Sequence, residues 1–180
     1  AALHVTGQAR DVDDMALPGN SVHIALGLSA VAHGRLISID TETALRMPGV
    51  RAVLTAADIP GKNDCSPVKG DDPIFAKDKI MYHGQTLFAV VADTRTQARD
   101  AVEQVKTEII PLAPILSIDA AIEQESFLEQ PLTLSSGQAE NAYTAAPCKL
   151  AGELYAGGQE HFYLEGQAAI AQADENGGIQ

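Results

Sequence analysis

The residues best equipped for chemistry lie in one short run, Gly157-Gly158-Gln159-Glu160-His161-Phe162-Tyr163-Leu164-Glu165. Two glycines let a backbone come close to a bound group. Gln159 follows with a neutral amide that donates and accepts hydrogen bonds and moves no proton. Alternation in the run predicts a strand with His161, Tyr163 and Glu165 on one face and Phe162 and Leu164 on the other, the apolar pair in the core. Glu160 and Glu165 invite an acid–base reading, but opposite parity sends them to different faces. They read as structural or solvated carboxylates, and His161 as a packed or surface imidazole. No residue is assigned a catalytic or a metal-ligating role. On residue types alone, Gly-Gly-Gln reads first as ordinary turn chemistry.

Bulk properties narrow the classes. A length of 180 residues suits one domain, or one domain with part of a second. The chain is 46% hydrophobic and 20% charged, with no apolar run long enough to span a bilayer. The start Ala1-Ala2-Leu3-His4 lacks the basic segment and apolar core of a signal peptide and is not Met, so a processed or excised piece is expected. Asn176 to Gln180 reads as a turn leading to a further strand. A net charge of −12 argues against nucleic acid and anionic membrane as partners, and leaves a solvated acidic surface. Cys65 and Cys148 stand far apart without a CxxC pattern, as free thiols of a reducing cytoplasm would. His4, His23, His33, His83 and His161 are scattered, so no metal or iron–sulfur site is expected from this chain alone.

The elements that must carry the run follow from periodicity. Val22–Leu28 is apolar at nearly every position and reads as a strand covered on both faces. Arg35–Asp40 alternates, as a half-buried strand does. Thr41–Met47 reads as a short helix capped by Asp40 or Thr41 and ended by Pro48-Gly49. Val50–Leu54 is a strand that turns out through Thr55–Pro60. The loop from Gly61 to about Asp78 is long enough to suggest either a partner-docking or channel-lining segment or a mobile surface loop. Lys79–Tyr82 and Thr86–Ala92 read as paired strands joined at His83-Gly84-Gln85. In the helix of Asp93–Val105, Ala98, Ala101, Val102 and Val105 share one face. Lys106–Pro111 returns as a strand. Short helices are expected at 118–125 and 140–145, and strands at Lys149–Tyr155 and His161–Ala173.

The Gly157–Glu165 run closely resembles the first cofactor-contacting motif in the molybdenum subunit of the xanthine dehydrogenase and aldehyde oxidase family. Other stretches resemble the small α/β-hammerhead domain that precedes it there. They are Gly7-Gln8-Ala9-Arg10 with Asp13-Asp14, Ala32–Asp40, Met47–Val50, Thr55–Pro60 and Gly84-Gln85. Lys62–Pro67 and Tyr163–Gln167 resemble most the bacterial xanthine dehydrogenase branch. Asp11 departs from the family's usual aromatic residue, and Gln172-Ala173 from its usual Val-Pro.

The resemblance implies an α+β fold: a hammerhead-like mixed sheet with flanking helices over residues 1–116, a connector over 117–147, and the truncated first hairpin of a molybdopterin-binding domain over 148–180. It implies that Gly158 and Gln159 contact the molybdenum centre, Gln159 on its oxo-ligand side, in the complete enzyme. That enzyme would oxidise hypoxanthine and xanthine to urate, passing electrons through iron–sulfur clusters and FAD on other domains or subunits to NAD. The remainder of the molybdenum subunit and the iron–sulfur/FAD partner would be its companions. The isolated chain is expected to be inactive, to bind no molybdenum–molybdopterin, and to form a homodimer through exposed Phe162, Leu164 or Ile170. The alternatives are an aldehyde or carbon-monoxide oxidising relative, and a non-catalytic scaffold or assembly module.

Overall fold

The structure, a computed structural model, describes residues 2–163 and 165–180. In chain order its helices are α1 (Ala2–Val5), α2 (Glu42–Leu45), α3 (Arg95–Val102), α4 (Ile118–Glu123) and α5 (Ala139–Ala145). The strands are β1 (His23–Leu28), β2 (Gly34–Asp40), β3 (Val50–Leu54), β4 (Lys79–Ile80), β5 (Thr86–Ala92) and β6 (Lys106–Pro111). The chain divides into two compact units, residues 18–127 and residues 1–17 with 128–180.

All six strands belong to the first unit. They form two three-stranded sheets, β1-β5-β3 and β4-β2-β6, and every pairing is antiparallel. The α+β class holds, with two small antiparallel sheets in place of one mixed sheet. The reason lies in the connection through α3. It joins β5 to β6, which enter different sheets, so it does not bridge parallel neighbours.

β5 is the centre of the core. Leu87, Phe88, Ala89, Val90 and Ala92 are all buried, as a strand flanked by two others and covered by a helix should be. The Phe88 ring lies over its cross-strand partner Gly27, where an added Cβ would sit 2.1 Å from the ring. Only glycine fits that position. α3 packs against β1 and β5 with Ala98 and Ala101 fully buried and Val102 and Val105 half-buried, the face expected from their spacing. Its first turn is closed by Thr94, whose hydroxyl accepts from the Gln97 N–H at 3.2 Å.

Three expectations need correction. Val22–Leu28 is not covered on both faces, because β1 is an edge strand whose Ile24, Leu26 and Leu28 remain 61%, 52% and 55% exposed. Lys79–Tyr82 and Thr86–Ala92 do not pair with each other; β4 joins β2 and β5 takes the centre of the other sheet. The turn between them is tied to Ser29 instead. Gly84 N–H donates to Ser29 O, and Ser29 N–H donates to Gln85 O, each at 2.9 Å. Met81 N–H is taken by the buried Gln85 side chain at 2.8 Å, so it is not free for a hairpin ladder. The third correction concerns α2, which spans only Glu42–Leu45. Its capping acceptor is Asp40, not Thr41, with Glu42 N–H donating to Asp40 Oδ1 at 3.1 Å.

Candidate functional site

The Gly157–Glu165 run lies in the second unit and forms no strand among its described residues, nor does Lys149–Tyr155. A strand needs a neighbour to satisfy its backbone groups, and neither run has one here. Phe162 breaks the extended line outright with φ +54, and at 91% exposure it is not core. Leu164 lies outside the described residues. One trace of the expected parity survives: the His161 and Tyr163 rings stack at 5.4 Å and 4°. Beyond this run, residues 165–180 close a tight turn. Asp174 Oδ1 accepts from Asn176 and Gly178 N–H at 2.8 and 2.7 Å, and Ala173 bridges Ile179.

Gly157, Gly158 and Gln159 are exposed, and an added Cβ at either glycine would meet nothing within 4 Å. The Gln159 amide makes no hydrogen bond among the described residues. The two carboxylates diverge. Glu160 Oε1 accepts from His161 N–H at 3.1 Å, whereas Glu165 Oε1 reaches Val12 N–H at 2.6 Å. Glu165 also lines an open hollow of about 370 Å³ with His4, Asp11 and Tyr163. No local pattern in the sequence announces that grouping, since its members come from opposite ends of the chain. Among the described residues, no group of three His, Cys, Asp or Glu side chains is placed to hold a metal ion.

In the first unit, the loop over residues 61–78 is stitched to itself by side chains, among them Asn63 and Asp64. Asn63 forms a paired contact with the Phe75 backbone, donating from Nδ2 to the carbonyl at 2.8 Å and accepting from the N–H at 3.0 Å. Asp64 accepts from the N–H groups of Ser66 and Asp72 at 3.2 and 3.1 Å and pairs with Lys62 at 3.0 Å. The Lys62 ammonium, followed by those N–H donors, holds the Asp64 carboxyl below the usual carboxylate range. Beside it, local desolvation by neighbouring atoms and the negative Asp72 push the pKa of the exposed Cys65 thiol up. Cys65 and Cys148 are both free thiols. The adjoining turn at Ala56–Asp58 is closed reciprocally: Asp58 accepts from Thr55 N–H at 2.8 Å, and Thr55 Oγ1 accepts from Ala57 N–H at 3.3 Å.

Comparison with known proteins sets these features in a family. Residues 6–113 match the aldehyde oxidase and xanthine dehydrogenase a/b hammerhead domain. The chain belongs to that family. It is similar to a xanthine dehydrogenase of Oryza sativa subsp. japonica, 38% identical over 98% of this chain and 13% of the relative. It is also similar to aldehyde oxidase 2 of Cavia porcellus, 41% identical over 93% of this chain and 12% of the relative. Among solved structures, the aldehyde oxidoreductase of Desulfovibrio desulfuricans superimposes with a TM-score of 0.62 at 35% identity. That match covers 69% of this chain and 15% of the other. The chain thus spans about an eighth of the length of the curated relatives it matches.

Proposed function

We propose that this chain is the opening part of the molybdenum-binding subunit of a xanthine-oxidising dehydrogenase. The observation that carries the reading is 38% identity to the Oryza xanthine dehydrogenase over 98% of the chain. Residues 1–116 are then the hammerhead domain, 117–147 the connector and 148–180 the start of the molybdopterin-binding domain. The enzyme works in the cytoplasm with the remainder of its subunit and with iron–sulfur and FAD modules, and NAD takes the electrons.

The residues present fit such a group on one count. Gln159 is an unengaged neutral amide next to two glycines with open space beside them. It would hydrogen-bond an oxygen ligand of the molybdenum centre, and Gly158 would let the backbone approach. When bound, the centre supplies the oxidation of an electron-poor purine carbon. Gln159 orients and steadies charge there, and neither Glu160 nor Glu165 acts on substrate. No acid, base or metal ligand is contributed by this chain, so the isolated chain has no activity.

A second reading, an aldehyde-oxidising parent, is favoured by the 41% identity to aldehyde oxidase 2 and by the structural likeness to the Desulfovibrio aldehyde oxidoreductase. Steady-state turnover of the complete enzyme on xanthine and on an aromatic aldehyde, each with NAD, decides between them. Xanthine turnover dominating supports the first reading, and aldehyde turnover with none on xanthine overturns it.

A further inference from the structure

The sequence from Ser21 to Ala32 contains no Asp, Glu, Lys or Arg, in a chain that is 20% charged. This stretch contains β1, an edge strand. Exposed edges of soluble proteins ordinarily carry a charge, a proline or a bulge against unwanted pairing. The only irregularity here is at the far end, between Gly27 and Leu28. Register extends the apolar surface across the sheet. Ile24, Val91 and Ala52 form one row on the face away from the Phe88 ring, and Leu26, Ala89 and Leu54 form the next. Ile24, Leu26 and Leu28 stand more than half exposed on that face.

We infer that this face of the β1-β5-β3 sheet is the seat of the larger, later part of the same subunit, which lays an aliphatic surface across Ile24, Leu26 and Leu28. The inference rests on the reading of the chain as part of a longer subunit. Size decides the occupant. Three half-exposed aliphatic side chains offer far less than the roughly 800 Å² per partner that a stable complex between separate molecules buries, which disfavours a second copy. A body in the same polypeptide docks at high effective concentration and needs less contact to stay. The relatives have such a body, since this chain matches only 12–13% of their length.

Side-chain footprinting with a photoactivated carbene, on the isolated chain and on the complete enzyme, tests this. Labelling of Ile24, Leu26 and Leu28 should fall at least fivefold in the complete enzyme, while Met81, exposed on the same unit, is equally labelled in both. Equal labelling of β1 in the two samples overturns the inference. So does protection in the isolated chain that grows with concentration alongside a dimer in sedimentation, which would make a second copy the occupant. A second arm uses Ile24→Lys. The isolated variant should melt as the parent chain does, and the complete variant should lose about tenfold or more of its bound molybdenum. Full molybdenum content in that variant overturns the inference. Both readouts are independent of substrate. An enzyme that oxidises aldehydes with β1 protected leaves the inference standing while the xanthine reading fails.

Discussion

The two units of this chain carry similarly apolar sequence but use it differently. In residues 18–127, β5 is flanked by strands and covered by α3, and its side chains are buried. In residues 1–17 and 128–180, no described residue is buried, and Leu150, Leu154, Tyr155 and Phe162 are at least 85% exposed. The second unit is held by turns, short helices and single contacts such as Glu165 to Val12. An apolar strand pattern becomes a strand only when the chain also supplies its neighbour. Hydrophobic burial needs a second surface to remove water from the first.

Truncation of matched aromatic residues should expose this contrast most strongly. Phe88→Ala, in the core of the first unit, should cost about 3–5 kcal/mol by urea denaturation. Phe162→Ala should change the midpoint by less than about 0.5 kcal/mol. Comparable losses would mean that the second unit has a core of its own. Next in size is Gly27→Val, which forces the Phe88 ring aside and should cost about 1–3 kcal/mol; the same measurement serves, and a neutral result would show that the ring is free to move.

A gain is expected at the end of α4. Glu125 holds φ +51, Ser126 N–H donates to Ala121 O at 2.8 Å, and Glu125 N–H donates to Ile122 O at 3.1 Å. This is the helix-ending arrangement that favours glycine. Glu125→Gly should stabilise the first unit by about 1 kcal/mol in thermal or urea unfolding. A loss would show that the carboxylate makes up for the backbone cost.

The smallest effect is set by pH. Backbone and hydroxyl donors of Thr55 hold the Asp58 carboxyl low, and Lys62 with the nearby N–H groups holds Asp64 low. A depressed folded-state pKa gives stability that is complete above the unfolded value and is lost as pH falls through the folded one. Protection of the 61–78 loop against hydrogen exchange, measured relative to the unstructured rate at each pH, should therefore fall only in acid, below the ordinary carboxylate range. Asp64→Asn should flatten that dependence. An unchanged acid profile in the variant would assign the effect to another group.

Much of the first unit was legible in the sequence, because its cues are local. The common face of Ala98, Ala101, Val102 and Val105 gave α3, and Pro48-Gly49 marked the end of the α2 region. Gly49 has φ +81, as a turn glycine should. Partner choice was not legible. Nothing in Lys79–Tyr82 says that the Gln85 side chain, only four residues on, will take the Met81 N–H, and the Ser29 clamp on the turn depends on residues brought together by the fold. Nor does the apolar run of β1 distinguish a strand buried on both faces from an edge strand with one face open. In the candidate site, residue types alone read Gly157-Gly158-Gln159 as a turn, and only the resemblance of the whole Gly157–Glu165 run pointed to Gln159 as a cofactor contact.

Gln159 is proposed to meet the molybdenum centre of the complete enzyme. Turnover of the complete enzyme with Gln159→Ala, normalised to bound molybdenum, tests it most directly. Loss of one preorganised donor costs on the order of 3 kcal/mol, about a hundredfold in rate. Gln159→Glu should be at least as harmful, since it sets an anion against an oxygen ligand, and Glu160→Gln should matter less. A Gln159→Ala enzyme with wild-type turnover per molybdenum would contradict the account and leave Gly157-Gly158-Gln159 as a turn.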